Sequence, residues 1–259
     1  MPVTYYSGGR RFDWRALVTP GVRFLVLACT AVFLVQTLTG LFFGKLAAFR
    51  MDQWFGLIPY AVIHGLRIWQ PFTYIFLHAG PGHLIINMFV LWMFGRELDS
   101  IWGWRRFLNY FFLCGVGAGL IIILVKTIPV FFGYPPESIP TIGASGAIFG
   151  VLIANAVLFP DRQVFLIPFP VSIPMRAYVA VMVVFEFFST LGSSGDGVSH
   201  ICHLGGGLVG WLYLRRDSFL FRVRNGYTDW KVQRTRKRFQ VYLNRHKNEP
   251  PSRPDRWVN

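Results

Sequence analysis

Hydrophobic and polar positions in this chain segregate on the scale of whole helices. Six stretches are free or nearly free of charge: 21–43, about 82–95, 107–125, 142–159, roughly 177–191 and 198–214. A spanning helix needs ~20 apolar residues, so these read as six transmembrane helices, some short. The second can extend until Glu97 and Asp99 interrupt it, and the fifth contains Glu186. Residues 44–76 hold Trp54, Phe55, Tyr60, Trp69, Phe72 and Tyr74. That connection is too aromatic for a free loop and too broken by Gly and Pro for a span, so an interfacial, partly embedded element is predicted. Between 164 and 175, Pro168, Pro170 and Pro174 predict an irregular or kinked approach to the fifth helix.

Composition makes the membrane assignment firm. Of 259 residues, 53% are hydrophobic, 17% aromatic and 15% charged, and the mean hydropathy is +0.43. Soluble domains carry about 25% charged residues. The net charge of +14 would suggest nucleic acid in a soluble protein. Here the basic residues flank apolar segments: Arg10, Arg11, Arg15 and Arg23 at one end, and thirteen of the 26 Lys and Arg between Arg215 and Arg256. Such flanks predict cytoplasmic retention and contact with anionic headgroups, with no nucleic-acid partner. Placing both termini inside leaves only Lys45, Arg50, Arg67 and Lys126 outside. The expected organisation is a cytoplasmic segment (1–20), a six-helix membrane domain (21–215) and a basic cytoplasmic tail (216–259). In the tail, Trp230, Val232, Phe239 and Leu243 could line one face of a surface helix. No cleaved signal peptide is expected; the first apolar segment anchors and stays. Cys29, Cys114 and Cys202 lie in apolar stretches without metal-ligand spacing, so they read as buried thiols, with no disulfide or metal site.

Polar groups inside apolar segments are functional-site candidates. Ser145 lies in Thr-Ile-Gly-Ala-Ser-Gly-Ala-Ile-Phe-Gly (141–150) and His203 in Ser-His-Ile-Cys-His-Leu-Gly-Gly-Gly-Leu-Val-Gly (199–210). A hydroxyl with an imidazole as base is the minimum pair for nucleophilic acyl transfer. His83 and Asn87 are four apart and share one helix face, Ser145 shares one with Phe149, and His203 shares one with Gly206 and Gly210. The two glycines form a pair that admits a close helix. Under the predicted topology Ser145, His83, Asn87 and His203 converge just below the outer surface, where water can reach. Singly, each has an ordinary reading as packing or an interhelical contact; together they point to hydrolysis.

Three motifs carry a resemblance: His78-Ala-Gly-Pro-Gly-His83-Leu-Ile-Ile-Asn87-Met88, then Gly143-Ala-Ser145-Gly146 with Phe149, then His203-Leu-Gly-Gly206-Gly-Leu-Val-Gly210. Over roughly residues 20–215 the chain resembles the rhomboid intramembrane serine proteases, and Glu97 with Trp104-Arg105 fits the same pattern. The resemblance implies an all-α, six-transmembrane-helix rhomboid-like bundle with an embedded outer loop between helices 1 and 2. It implies Ser145 as nucleophile and His203 as general base, with His83, Asn87 and the Ser145 N–H forming an oxyanion hole. Phe149 is implied to stack on the imidazole, and His78, Gly143, Gly146, Gly206 and Gly210 to support the site. Cys202 stands where the family usually has Ala, and His200 adds a second imidazole. Glu186 has no role in the pattern and reads as a residue facing the bundle interior or a wet cavity.

The expected function is a serine endopeptidase cutting transmembrane protein substrates near the outer leaflet, in a bacterial plasma membrane, without metal or cofactor. A Ser-His dyad lacks the acid that orients the histidine of a triad, so Phe149 is expected to help place the ring. One rival is a silent rhomboid-like protein that binds membrane clients; retention of both Ser145 and His203 argues against it. Another is a small transporter using Glu186 and the histidines as a proton path, against which the absence of an internal repeat counts.

Overall fold

The computed structural model describes residues 18–166, 171–191 and 199–216. The expected N-terminal basic cluster, the tail beyond Arg216 with its possible surface helix, and Pro168 and Pro170 lie outside the described residues. The chain divides into two compact units, Met1–Leu212 and Tyr213–Asn259; of the second, only 213–216 are described, and they are helical.

Helix α1 (Pro20–Phe43) begins with Pro at the first turn, where a missing N–H costs nothing. Its Thr19 cap makes no side-chain hydrogen bond. Instead the buried carboxylate of Asp99, late in α5 (Pro81–Trp102), accepts from Gly21 N–H at 2.7 Å and Val22 N–H at 3.1 Å. A carboxylate at a helix N-terminus satisfies orphan donors and complements the dipole, so Asp99 ties α1 to α5 from a distance in sequence.

Between them the chain forms α2 (Lys45–Phe55), α3 (Pro59–Ile63) and α4 (Gln70–Thr73), then a 3-10 turn at Tyr74–Phe76. Gln70 holds this connection together, accepting from Ile58 N–H and donating to the Gln53 carbonyl. Trp54 and Trp69 stack with centroids 5.9 Å apart, and Arg67 lies over Trp54. Of the aromatic residues in this segment only Tyr74 is buried; Trp54, Phe55, Tyr60, Trp69 and Phe72 are exposed, as side chains of an interfacial element are.

Gly103, with φ of +78°, turns the chain from α5 into α6 (Trp104–Phe131). Helix α7 (Ser145–Leu158) is central: Gly146 through Leu152, Ala154 and Asn155 are buried, and it packs against α5, α6 and α8 (Met175–Leu191). Residues 200–216 form α9. Where an irregular or kinked approach to the fifth helix was expected, β1 (Gln163–Leu166) and β2 (Val171–Pro174) pair antiparallel, with Val164 opposite Ile173. β-branched and aromatic residues favour a pleated pair, and Pro174 sits at its end, where a missing donor is tolerated.

Within the described residues each of the six apolar stretches contains a helix, but fewer of the helices span by length. Among the described residues only α1 and α6 are long and apolar enough to cross a membrane, or three spans if α4 with its 3-10 turn and α5, bent by 95°, are one. Leu27, Leu34, Leu41 and Phe42 of α1 and Val181, Phe185 and Phe188 of α8 are exposed, as lipid-facing side chains are. The protein is a helical, multi-pass membrane protein. Lipid supplies no hydrophobic drive between helices, so close packing of small residues must do that work.

Candidate functional site

Ser145 is the first residue of α7 and is half-buried. The strand-like approach to it is pinned by paired backbone bonds between Leu57 and Thr141, both 2.9 Å, and by Gly143 N–H to the Tyr74 carbonyl. Gly143 adopts φ of +129°, and a Cβ there would lie 2.9 Å from His83 Cε1 and 3.1 Å from Nε2. Only glycine satisfies both constraints. The first backbone bond of α7 runs from Ile148 N–H to the Ala144 carbonyl, so the Ser145 N–H has no intrahelical acceptor. The positive end of the helix dipole thus lies at the serine.

His83 opens α5 and is half-buried. Its Nδ1 accepts from Ala79 N–H at 3.3 Å, which places the ring proton of a neutral His83 on Nε2, the nitrogen beside Gly143. One turn on, Asn87 is buried and its Nδ2 has no hydrogen-bond partner among the described residues. A buried amide donor left open in a native core calls for a reason. His78 tilts against His83, with ring centroids 5.2 Å apart; its Nδ1 donates to the Phe76 carbonyl, and Gln36 accepts from its backbone N–H.

His203 on α9 lies flat against Phe149, with centroids 5.7 Å apart and planes 8° apart. The helices meet backbone to backbone there. A Cβ on Gly206 would fall inside the Gly146 carbonyl, one on Gly146 would come 2.6 Å from Cys202 Sγ, and one on Gly210 would lie 3.2 Å from Gly150 Cα. Residues 146 and 202, which touch across this seam, are the neighbours of Ser145 and His203 in the chain. Cys202 fits the space its small side chain demands, with Sγ 3.6 Å from Tyr74 Oη.

The motifs of the sequence assign no partner to Glu186 or His200. Both are buried, and His200 Nδ1 lies 2.6 Å from Glu186 Oε2. His203 Nδ1 lies 2.9 Å from Oε1, with its N–H off the line of a well-formed hydrogen bond. The available signals were a lone carboxylate in an apolar helix and histidines three apart on one face. Glu186, His200 and His203 also form a donor set that could hold a metal ion, their ligand atoms lying within 4.8 Å of one another. The structure thus gathers Ser145, His83, Phe149, His203 and the glycines around the α7 N-terminus, with Asn87 one turn beyond His83.

A Rhomboid domain profile matches residues 65–217, more than half of the chain. RHOMBOID-like protein 1 of Arabidopsis thaliana is 26% identical over 193 residues, covering 70% of this chain and 45% of that protein. Rhomboid protein 1, mitochondrial, of Saccharomyces cerevisiae is 31% identical over 147 residues, covering 53% and 38%. Rhomboid protease GluP of Bacillus subtilis is 31% identical over 146 residues, covering 56% and 25%. The matched parts span less than half the length of each of these relatives.

Proposed function

Because this chain belongs to the rhomboid family, we propose that it is an intramembrane serine endopeptidase cutting transmembrane substrates near their outer-leaflet end. The observation that carries this reading is the α7–α9 seam: Gly146 against Cys202 and Gly206, with Phe149 stacked on His203. That seam puts a helix-N-terminal serine and an imidazole on facing turns.

In this mechanism Ser145 Oγ attacks the scissile carbonyl carbon while its proton passes to His203 Nε2, since Nδ1 is engaged toward Glu186. The carbonyl oxygen becomes an oxyanion and is received by the Ser145 N–H, His83 Nε2–H and the open Asn87 amide. His203 then returns the proton to the departing amine, and a water repeats the sequence to release the acyl group. No metal or cofactor is required by this chemistry.

The length of α7 supports the depth of cleavage. Its 14 residues rise ~21 Å, against a hydrocarbon core of ~30 Å, so the helix cannot reach both surfaces. Its C-terminal end leads to Asp161 and Arg162, which pair with Arg176 and Glu97, a polar face on the side of Arg96, Arg105 and Arg106. With that face cytoplasmic, Ser145 lies short of the opposite surface by ~10 Å. Six helices crossing or entering the bilayer, both termini cytoplasmic, and a basic tail on anionic lipid complete the proposal. The setting is a bacterial plasma membrane.

Covalent labelling tests it without knowledge of the substrate. A serine hydroxyl reacts with a fluorophosphonate only when a base activates it. Wild-type protein is expected to label at Ser145, and both Ser145→Ala and His203→Ala to lose the label. A folded wild type that stays unlabelled would move the client-binding reading ahead.

A further inference from the structure

We infer that Glu186 is a positioning residue for the base, holding His203 through Nδ1, with His200 holding the other oxygen of the same carboxylate. The inference rests on the Ser145–His203 reading above and extends it from a pair to a relay of four side chains on three helices. Each Glu186 oxygen faces one imidazole nitrogen, at 2.6 Å for His200 and 2.9 Å for His203. A buried carboxylate is costly unless donors surround it, and two Nδ1–H groups are such donors. Accepting at Nδ1 selects the tautomer whose Nε2 is bare, which is the nitrogen a serine proton needs. The same carboxylate stabilises the imidazolium that forms once the proton has moved, the role an acid plays in soluble triads.

The His203 Nδ1–H points off the line to its oxygen, and catalytic hydrogen bonds that are poorly aligned without substrate often tighten in the Michaelis complex. Phe149 fixes the plane of the ring, and stacking leaves rotation within that plane open. Glu186 removes that remaining freedom. The distances also separate this reading from a metal site. Around a tetrahedral zinc with bonds of ~2.0–2.1 Å, donor atoms stand about 3.3 Å apart. The two His–Glu separations are shorter and belong to direct donor–acceptor contact.

The test measures cleavage of a labelled transmembrane peptide by the full chain in lipid nanodiscs, with thermal unfolding followed alongside. Glu186→Gln keeps the volume but replaces one acceptor oxygen by an amide donor, so it cannot hold both imidazoles. It is expected to lower kcat about 10²-fold with KM within about twofold; the comparable change in a soluble triad costs about 10⁴, and here Phe149 still holds the ring plane. Glu186→Asp should recover about tenfold of that loss. His200→Ala should lower kcat less, and Glu186→Gln with His200→Ala should be no worse than Glu186→Gln alone, because His200 acts through the carboxylate.

Wild-type kcat in Glu186→Gln overturns the inference. So does an Asp variant no better than Gln with matched losses of melting temperature, which would make the trio a clamp between helices. Loss of activity on chelation, restored by zinc, would make it a metal site and also overturn it. Should Glu186→Gln fail to fold, Glu186→Asp decides: about tenfold lower kcat at unchanged KM is expected, and wild-type turnover refutes the role. Ser145→Ala must be inactive in the same assay; full cleavage by that variant would instead sink the protease reading on which this one stands.

Discussion

Phe149 and His203 form a parallel stack across the α7–α9 seam, with ring centroids 5.7 Å apart and planes 8° apart. The contact couples the helix of Ser145 to that of His203, because Phe149 lies one turn from Ser145. Phe149→Leu keeps an apolar side chain but removes three carbon atoms and the flat face. Losing that buried carbon costs roughly 2 kcal/mol of stability, at ~0.8 kcal/mol per buried methylene. The expected result is a lowered melting temperature in a protein that still folds, with kcat per folded molecule reduced roughly tenfold, a loss worth ~1.4 kcal/mol in the transition state. Equal turnover for wild type and Phe149→Leu would show that the stack is packing alone.

Gly206→Ala should be far more damaging than its size suggests. The added methyl would sit inside the Gly146 carbonyl, and backbone cannot move aside as a side-chain tip can. Overpacking costs typically 1–3 kcal/mol, and separation of the helices should also abolish labelling of Ser145. Gly82→Ala is the control, since nothing lies within 4 Å of its added carbon. If both variants melt and label alike, the close approach at Gly206 is not what holds the site together.

Asn87→Ala should act on turnover more than on binding. Its amide is buried and unpartnered among the described residues, so removing it orphans no protein acceptor. Loss of one oxyanion donor costs about 10²–10³ in kcat in a soluble serine protease, and His83 with the Ser145 N–H would cushion the loss here. Steady-state kinetics separate the cases: a raised KM with normal kcat would make Asn87 a docking residue.

Asp99→Ala should destabilise without touching chemistry. The carboxylate caps α1 by accepting from Gly21 and Val22, and loss of an N-cap costs ~0.5–2 kcal/mol. Melting should shift down while kcat per folded molecule stays at the wild-type value. Asp99→Asn, which keeps an acceptor oxygen, should fall between the two.

Cysteines placed at the two ends of α7 test the orientation. Glu137→Cys lies before the helix and Asp161→Cys after it, and both parent side chains are exposed. The native Cys29, Cys114 and Cys202 are buried and should react slowly. An impermeant thiol reagent outside intact cells should modify residue 137 and spare 161. The reverse pattern would invert the topology and put Ser145 near the cytoplasmic face.

The helices and the chemistry-bearing motifs are legible in the chain because both are local. A run of apolar residues reports where a helix partitions into lipid, and a serine or histidine within that run is conspicuous by its cost there. The aromatic connection 44–76 was readable as something other than coil for the same reason. The relationships between helices were not. Asp99 caps α1 from 77 residues away, and the Glu186–His203 contact joins two helices whose relative rotation no periodicity records. The β1–β2 pair was hidden behind prolines that argued for coil. Helix rotation and depth are set where backbones touch, at Gly146, Gly150, Gly206 and Gly210. A glycine's spacing shows that a close approach is possible; only the folded chain decides which partner makes it, and so which polar groups meet.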